Sequence, residues 1–232
     1  MGKLVLIGSQ KNDIGKTIIC IKTGVNLSQC GNKVLLVDLS SGKKKISEYL
    51  NVNEDIIYDI KDVFDEICSF NQAVIEINDN LSLLPYPRMA EKLYDIQRDE
   101  FSRLFDEAKK DYDLIIVDID SITQSYIDFN KVNIVITVNN NDFSCIKEIN
   151  CDKNIARQGN VDRIYAILNK YNKKKAKNGT MLNSKDIQKL TEMNMNTIIE
   201  ESIKFSNADY EFLYSMEESS FNKAIKTLSN QL

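Results

Sequence analysis

Lys3-Leu4-Val5-Leu6-Ile7-Gly8-Ser9-Gln10-Lys11-Asn12-Asp13-Ile14-Gly15-Lys16-Thr17 opens the chain, and its reading decides the fold. Leu4 to Ile7 is a short apolar run, as a strand buried on both faces must be. A loop closed by Gly15-Lys16-Thr17 follows, and then a helical pattern over Lys16–Gln29. Strand, loop, G-K-T and helix form the setting of a phosphate loop, G-x-x-x-x-G-K-[ST]. Backbone N–H groups in such a loop cradle phosphates at a helix N-terminus. Lys16 would reach the β- and γ-phosphates, and Thr17 would offer its hydroxyl to Mg²⁺. The opening glycine of the motif is Gln10 here, and Gly8, two residues earlier, does not substitute for it.

Outward from this loop, strands and helices alternate. Lys3–Ile7, Lys33–Asp38, Leu81–Leu84, Leu114–Asp118, Asn133–Val138, Arg163–Leu168 and Thr197–Ile199 read as strands. Lys16–Gln29, Ile60–Ile67, Gln72–Ile77, Gln97–Lys110, Ser144–Ala156, Ser184–Met193 and Phe221–Leu232 read as helices. The alternation predicts an α/β fold: a single P-loop NTPase-like domain over residues 1–232, its central sheet mainly parallel and flanked by helices on both faces. Pro85 and Pro87 mark the exit from one strand, and Lys170–Lys177 reads as an exposed loop.

The composition fits this fold and excludes several chemistries. The chain has 232 residues, 43% of them hydrophobic, with a net charge of −4. It contains no His, which excludes Ser-His-Asp and Cys-His catalysis and His-liganded zinc. Only 8 Gly are present where average usage gives about 16. The acidic balance gives no reason to expect a specific nucleic-acid partner. The five cysteines read as reduced, mostly buried thiols of a cytosolic protein. The N-terminus reads as a strand rather than a secretory signal, and no apolar run is long enough to span a membrane.

Two further strands end in acids. Leu35–Asp38 follows the first βα unit, and Asp111–Asp118 has the form of a Walker B strand, whose carboxylate would hold a Mg²⁺-bound water.

With these residues in place the chain resembles the MinD/ParA family of deviant Walker A P-loop ATPases, and its MinD branch more specifically. Lys11, five residues before Lys16, matches the signature lysine of G-K-G-G-x-G-K-T. Asp59–Leu84 with Pro85 is similar to the stretch leading to the family's "LLPA" strand. Asp142–Glu148 resembles "PEVSSVRD", Asn169–Leu182 resembles "NRYNP…GDML", and Thr197–Asn207 resembles "GVIPEDxxVxxASN". The resemblance implies an ATP-dependent homodimer that sandwiches two nucleotides face to face, with ATP/ADP and Mg²⁺ as ligands. Lys11 would cross to the partner's phosphates. Gln10, Asn12, Asp13, Ile14, Gly15, Lys16, Thr17 and Ile18 would form the cradle, and Asn169 would contact adenine. Thr17 and Asp118 would serve the metal, and Lys11, Lys16, Asp38 and Ser40 would stand at the catalytic positions.

The chain departs from that pattern at defined places. Gln10, Asn12 and Asp13 replace three glycines, adding Cβ atoms to a backbone built for close phosphate approach. Asp13 also brings a carboxylate toward a polyphosphate. The first switch, D-x-D in the family, is Asp38-Leu39-Ser40. Ser40 bonds water but does not take up charge as a carboxylate does. Asp120, two residues past Asp118, either supplies the missing acid or is a solvated loop acid. The apolar stripe of Phe221, Ala224, Ile225, Leu228 and Leu232 reads as core, so direct membrane anchoring is not expected. The expected function is an ATP-binding dimerisation switch that positions a cell-division or cell-surface machinery, with weak or absent hydrolysis. An active ATPase, or a non-enzymatic localisation scaffold of the pilus-assembly type, remains open. The expected location is the cytoplasm, with any placement at the inner membrane face coming through an unidentified protein partner.

Overall fold

The computed structural model describes residues 2–88, 96–195, 197–202 and 208–232. Eight strands form one sheet. They are β1 (Lys3–Gly8), β2 (Val34–Leu39), β3 (Ile75–Asn78), β4 (Leu81–Leu84), β5 (Leu114–Ile119), β6 (Ile134–Asn139), β7 (Arg163–Tyr171) and β8 (Thr197–Glu200). The order across the sheet is β3-β4-β2-β5-β1-β6-β7-β8, parallel except where β3 pairs antiparallel with β4 at the edge. β1 therefore lies between β5 and β6, with its carboxyl end in the middle of the sheet.

Side-chain alternation along the central strands feeds two apolar layers. Val5, Ile7, Val34, Leu36 and Ile116 face one side, against α1 (Lys16–Gln29), α2 (Ile46–Tyr49), α9 (Tyr210–Tyr214) and α10 (Ser220–Ser229). Leu4, Leu6, Leu35, Val37 and Val117 face the other, toward α3 (Ile60–Phe64), α4 (Phe70–Ala73) and α5 (Arg98–Asp111). Beside them, α6 (Cys145–Gln158) and α8 (Ser184–Thr191) cover Ala166 and Leu168 of β7. The stripe Phe221, Ala224, Ile225, Leu228 and Leu232 is buried in the first layer, where α10 packs on α1 and β8.

The structure corrects several expectations. Gln72–Ile77 is not a helix. A box between Ser69 and Gln72 caps only the single turn α4, and Val74 is already extended. Ile75–Asn78 then alternates half-buried and exposed residues as an edge strand, turning through Asp79 and Asn80 into β4. The expected loop Lys170–Lys177 instead contains the end of β7 and a short helix α7 (Lys173–Lys177), started by the Asn172 side chain accepting from the Lys175 N–H. Only Cys20 and Cys145 are buried; Cys68 and Cys151 are half-buried and Cys30 is exposed. The Thr197–Asn207 segment is described only as far as residue 202. No helix among the described residues is long and apolar enough to cross a membrane.

One buried cation ties the first layer together. Lys22 of α1 is 1% exposed, and its ammonium donates to the carbonyls of Phe212 at 3.2 Å, Leu213 at 2.8 Å and Ser215. Its three donors are thereby matched. Lys22→Met removes a charged donor from buried carbonyls, so it should cost about 2–3 kcal/mol, read from urea unfolding monitored by circular dichroism. Stability unchanged within about 0.5 kcal/mol would show the contact to be neutral.

Candidate functional site

Parallel register assembles the site. Asp38 of β2 and Asp118 of β5 lie opposite each other at the carboxyl ends of their strands, and Asp118 is also in register with Ile7 of β1. Both carboxylates are buried. Burial raises the Asp118 pKa, and the Asp38 carboxylate adds to it; the Thr17 hydroxyl and Lys16 pull it the other way. Burial also raises Asp38, opposed by the Ile46 N–H, Lys45 and the Ser40 N–H. Asp38 accepts from the Ser40 N–H at 3.1 Å and the Ile46 N–H at 2.8 Å. The Thr17 hydroxyl donates to Asp118 Oδ2 at 2.5 Å. Asp118 Oδ1 is buried with no hydrogen-bond partner among the described residues. A buried orphan carboxylate oxygen beside a threonine hydroxyl fits a hard cation such as Mg²⁺.

The loop before α1 is held by side chains. Gly15 caps the helix in the left-handed region at φ 87°. A Cβ there would meet Asn169 Nδ2 at 2.6 Å, so both conformation and contact require glycine. That Nδ2 donates to the Ile14 carbonyl at 2.6 Å, and Lys170 Nζ donates to the Asp13 carbonyl at 2.5 Å. Lys16 Nζ lies 3.2 Å from the Lys11 carbonyl. Of the three substituted glycine positions, only Asp13 has positive φ, at 54°, a region Asp tolerates better than most residues. Gln10 reaches away and donates to the buried Asp152 of α6 at 2.9 Å. The expected crowding by three side chains is thus partly relieved: Gln10 turns aside, while the exposed Asn12 and Asp13 stay on the cavity wall.

A cavity of about 430 Å³ opens beside this loop. Asn12, Asp13, Ile14, Gly15, Lys16, Thr17 and Ile18 line it, with Ser40 and Asp120 from the strand ends and Asn169 and Lys170 from β7. Phe221 and Tyr49 add apolar wall. Gln10 and Lys11 are not part of the lining, and Asp38 and Asp118 lie beneath it. Lys11 turns to its own chain instead: its ammonium bonds Asn140 at 2.8 Å and Asp142 at 2.6 Å, and lies 3.2 Å from Glu148.

Known proteins share this chain's sequence pattern and fold. The CobQ/CobB/MinD/ParA nucleotide-binding domain pattern matches residues 5–213. The chain belongs to this MinD/ParA family. It is 29% identical over 130 residues to the septum site-determining protein MinD of Bacillus subtilis, covering 54% of this chain and 48% of that one. It is 24% identical over 201 residues to Helicobacter pylori MinD, covering 82% and 75%. The chain thus spans about half the length of the first of these relatives. Its fold matches MinD of the Aquifex aeolicus MinC:MinD complex, with a TM-score of 0.84, 22% identity, and 99% and 95% of the chains covered. MinD of Pyrococcus horikoshii complexed with Mg-ADP gives 0.83 at 21% identity, covering 100% and 96%.

Several contacts at the site carry no signal in the sequence. Sequence reading gave no role to Asp152, which holds Gln10, or to Lys45, whose Nζ meets the Ser40 carbonyl at 2.5 Å. Asp142 and Glu148 lay within a quoted segment, but nothing in their spacing signalled the bond to Lys11. Burial tends to raise Asp142, but the bonds from Lys11 and Ser144 outweigh it and hold its pKa below the ordinary value.

The raised Asp118 pKa has a direct consequence. The unfolded chain gives up this proton more readily than the folded one, so the fold loses stability as pH rises above the ordinary carboxylate range. Asp118→Asn removes that loss. The variant should melt at a higher temperature than the parent at neutral pH without nucleotide, with the difference closing below about pH 4. Melting curves across pH that coincide for both proteins would refute it.

Proposed function

We propose that this chain is a MinD-like, Mg-ATP-binding dimerisation switch that positions a cell-division or cell-surface machinery and hydrolyses ATP weakly. The observation that carries the reading is that Lys16 and Thr17 line one cavity with Asn169 and Phe221, and that the half-satisfied Asp118 lies beneath it, bonded to Thr17. Lys16 would neutralise phosphate charge. Thr17 and Asp118 would hold Mg²⁺, which offsets charge on the phosphate oxygens. Asn169, already bound to the loop through Nδ2, keeps its carbonyl oxygen for a base edge. Weak hydrolysis rests on Ser40, a hydroxyl at the loop position where the family resemblance places a second acid.

Dimerisation rests on Lys11. Its ammonium is engaged by Asp142 and Glu148 of its own chain, outside its own cavity. Reaching a partner's phosphates means exchanging those carboxylates for a more highly charged anion. Mg-ATP would drive this exchange and ADP would not, which makes the contact a switch. The MinD of Aquifex aeolicus is found in complex with MinC; a protein partner of this chain, and any membrane placement through it, belongs to the same proposal.

Calorimetry with Mg-ATP, paired with light scattering, tests the reading. Expected are sub-millimolar binding and a dimer formed with Mg-ATP but not with ADP. Lys16→Ala should weaken binding about tenfold or more, a loss of at least about 1.4 kcal/mol. Lys11→Ala should keep binding and lose the dimer. No detectable Mg-ATP binding would turn the assignment to a localisation scaffold.

A further inference from the structure

We infer that Asp120 orients the attacking water for the ATP hydrolysis this site performs, a role that rests on the Mg-ATP reading above. Among the described residues lining the cavity, two carry carboxylates, Asp13 and Asp120. Asp13 sits on the exposed turn next to Lys170 and Asn169, on the β7 side. Asp120 stands at the other side, just past the end of β5 and two residues beyond Asp118. The three acids at this end differ in what they can still do. Asp38 is buried and its two oxygens take the Ser40 and Ile46 N–H groups. Asp118 is fully buried against Thr17. Asp120 alone of the three is half-buried and reaches the cavity.

Its position is held from both sides. The backbone carbonyl of Asp120 accepts from the Ser9 N–H at 3.4 Å, tying it to the end of β1. Its Oδ1 accepts from the Ser40 hydroxyl and the Ser41 N–H, both at 3.0 Å, and Oδ2 lies 3.0 Å from the same N–H. An ionised carboxylate accepts about four hydrogen bonds. These contacts leave capacity on Oδ2 for one more donor, and a water between it and a bound nucleotide is that donor. The Ser40 hydroxyl gives its one proton to Asp120 and is uncharged, so the negative field on a water at this side of the cavity comes from Asp120. Lys45, bonded to the Ser40 carbonyl and stacked 3.2 Å above the Tyr86 ring, offsets the local negative charge.

The step is a direct displacement. The water oxygen bonds to the γ-phosphorus as the bond from that phosphorus to the β–γ bridging oxygen breaks. The electron pair leaves on ADP, and the water protons end on inorganic phosphate and in solvent. Asp120 contributes alignment and a negative field on the water, with no net proton gained.

Asp120→Asn separates this role from a purely structural one. The amide keeps an acceptor oxygen for Ser40 and Ser41, so the loop stays latched, while the charge facing the water is lost. The measurements are steady-state hydrolysis at saturating Mg-ATP and calorimetric Kd for a non-hydrolysable Mg-ATP analogue. Expected is a slow parent turnover that Lys16→Ala removes. Asp120→Asn should lower kcat about tenfold or more with Kd changed less than about twofold, and Asp120→Glu should restore part of kcat. Unchanged kcat in Asp120→Asn overturns the inference. So does a Kd that weakens in step with kcat, or a parent that binds Mg-ATP without any turnover. A parent that fails to bind Mg-ATP removes the underlying reading, and this inference with it.

Discussion

Two carboxylates side by side in a parallel ladder, Asp38 opposite Asp118, set the terms for the site. Central parallel strands are buried on both faces, so only their carboxyl ends can carry polar groups into the molecule. Placing two acids there is unfavourable by burial and by mutual repulsion. The surroundings answer group by group. Two backbone N–H groups serve Asp38 and one hydroxyl serves Asp118. Lys16 and Lys45 supply positive field. One oxygen of Asp118 is left over. The fold therefore stores an electrostatic deficit at the point where, in the proposed reading, a cation with its phosphate partner would relieve it.

The central layer was legible in the sequence because its signal is local. β1, α1, β2, β5 and β6 follow from short apolar runs and a helical period, and their predicted ends agree with the structure to within a residue or two. Gln72–Ile77 failed for a physical reason. Four residues of edge strand bury only every second side chain, and such a segment has no period distinguishable from one helical turn. The phosphate loop could be placed from Gly15, Lys16 and Thr17 alone. The contacts that hold it could not, because Asn169, Lys170 and Asp152 reach it from more than a hundred residues away.

Those distant contacts bear on the glycine shortage. A phosphate loop needs its carbonyls turned away from the ligand so that its N–H groups face it. In many sequences glycine permits this by conformational freedom. Here β7 imposes it with side chains. Asn169 holds the Ile14 carbonyl and Lys170 holds the Asp13 carbonyl. A trans peptide points each C=O opposite to the next N–H. The Gly15 and Ile14 N–H groups are thereby directed away from the β7 side chains that hold the carbonyls. Gln10, at a position expected to want glycine, acts likewise: its amide bonds Asp152, which also accepts from Thr137 at 2.5 Å. The loop is fixed to β7 and α6 rather than freed by glycine. The same α6 begins just after Asp142 and carries Glu148, the two acids that hold Lys11. One helix thus contacts both the loop, through Asp152 and Gln10, and the lysine, through Glu148. In this chain the anchors that stand where glycines were expected connect the loop before α1 to the helix whose Glu148 holds Lys11.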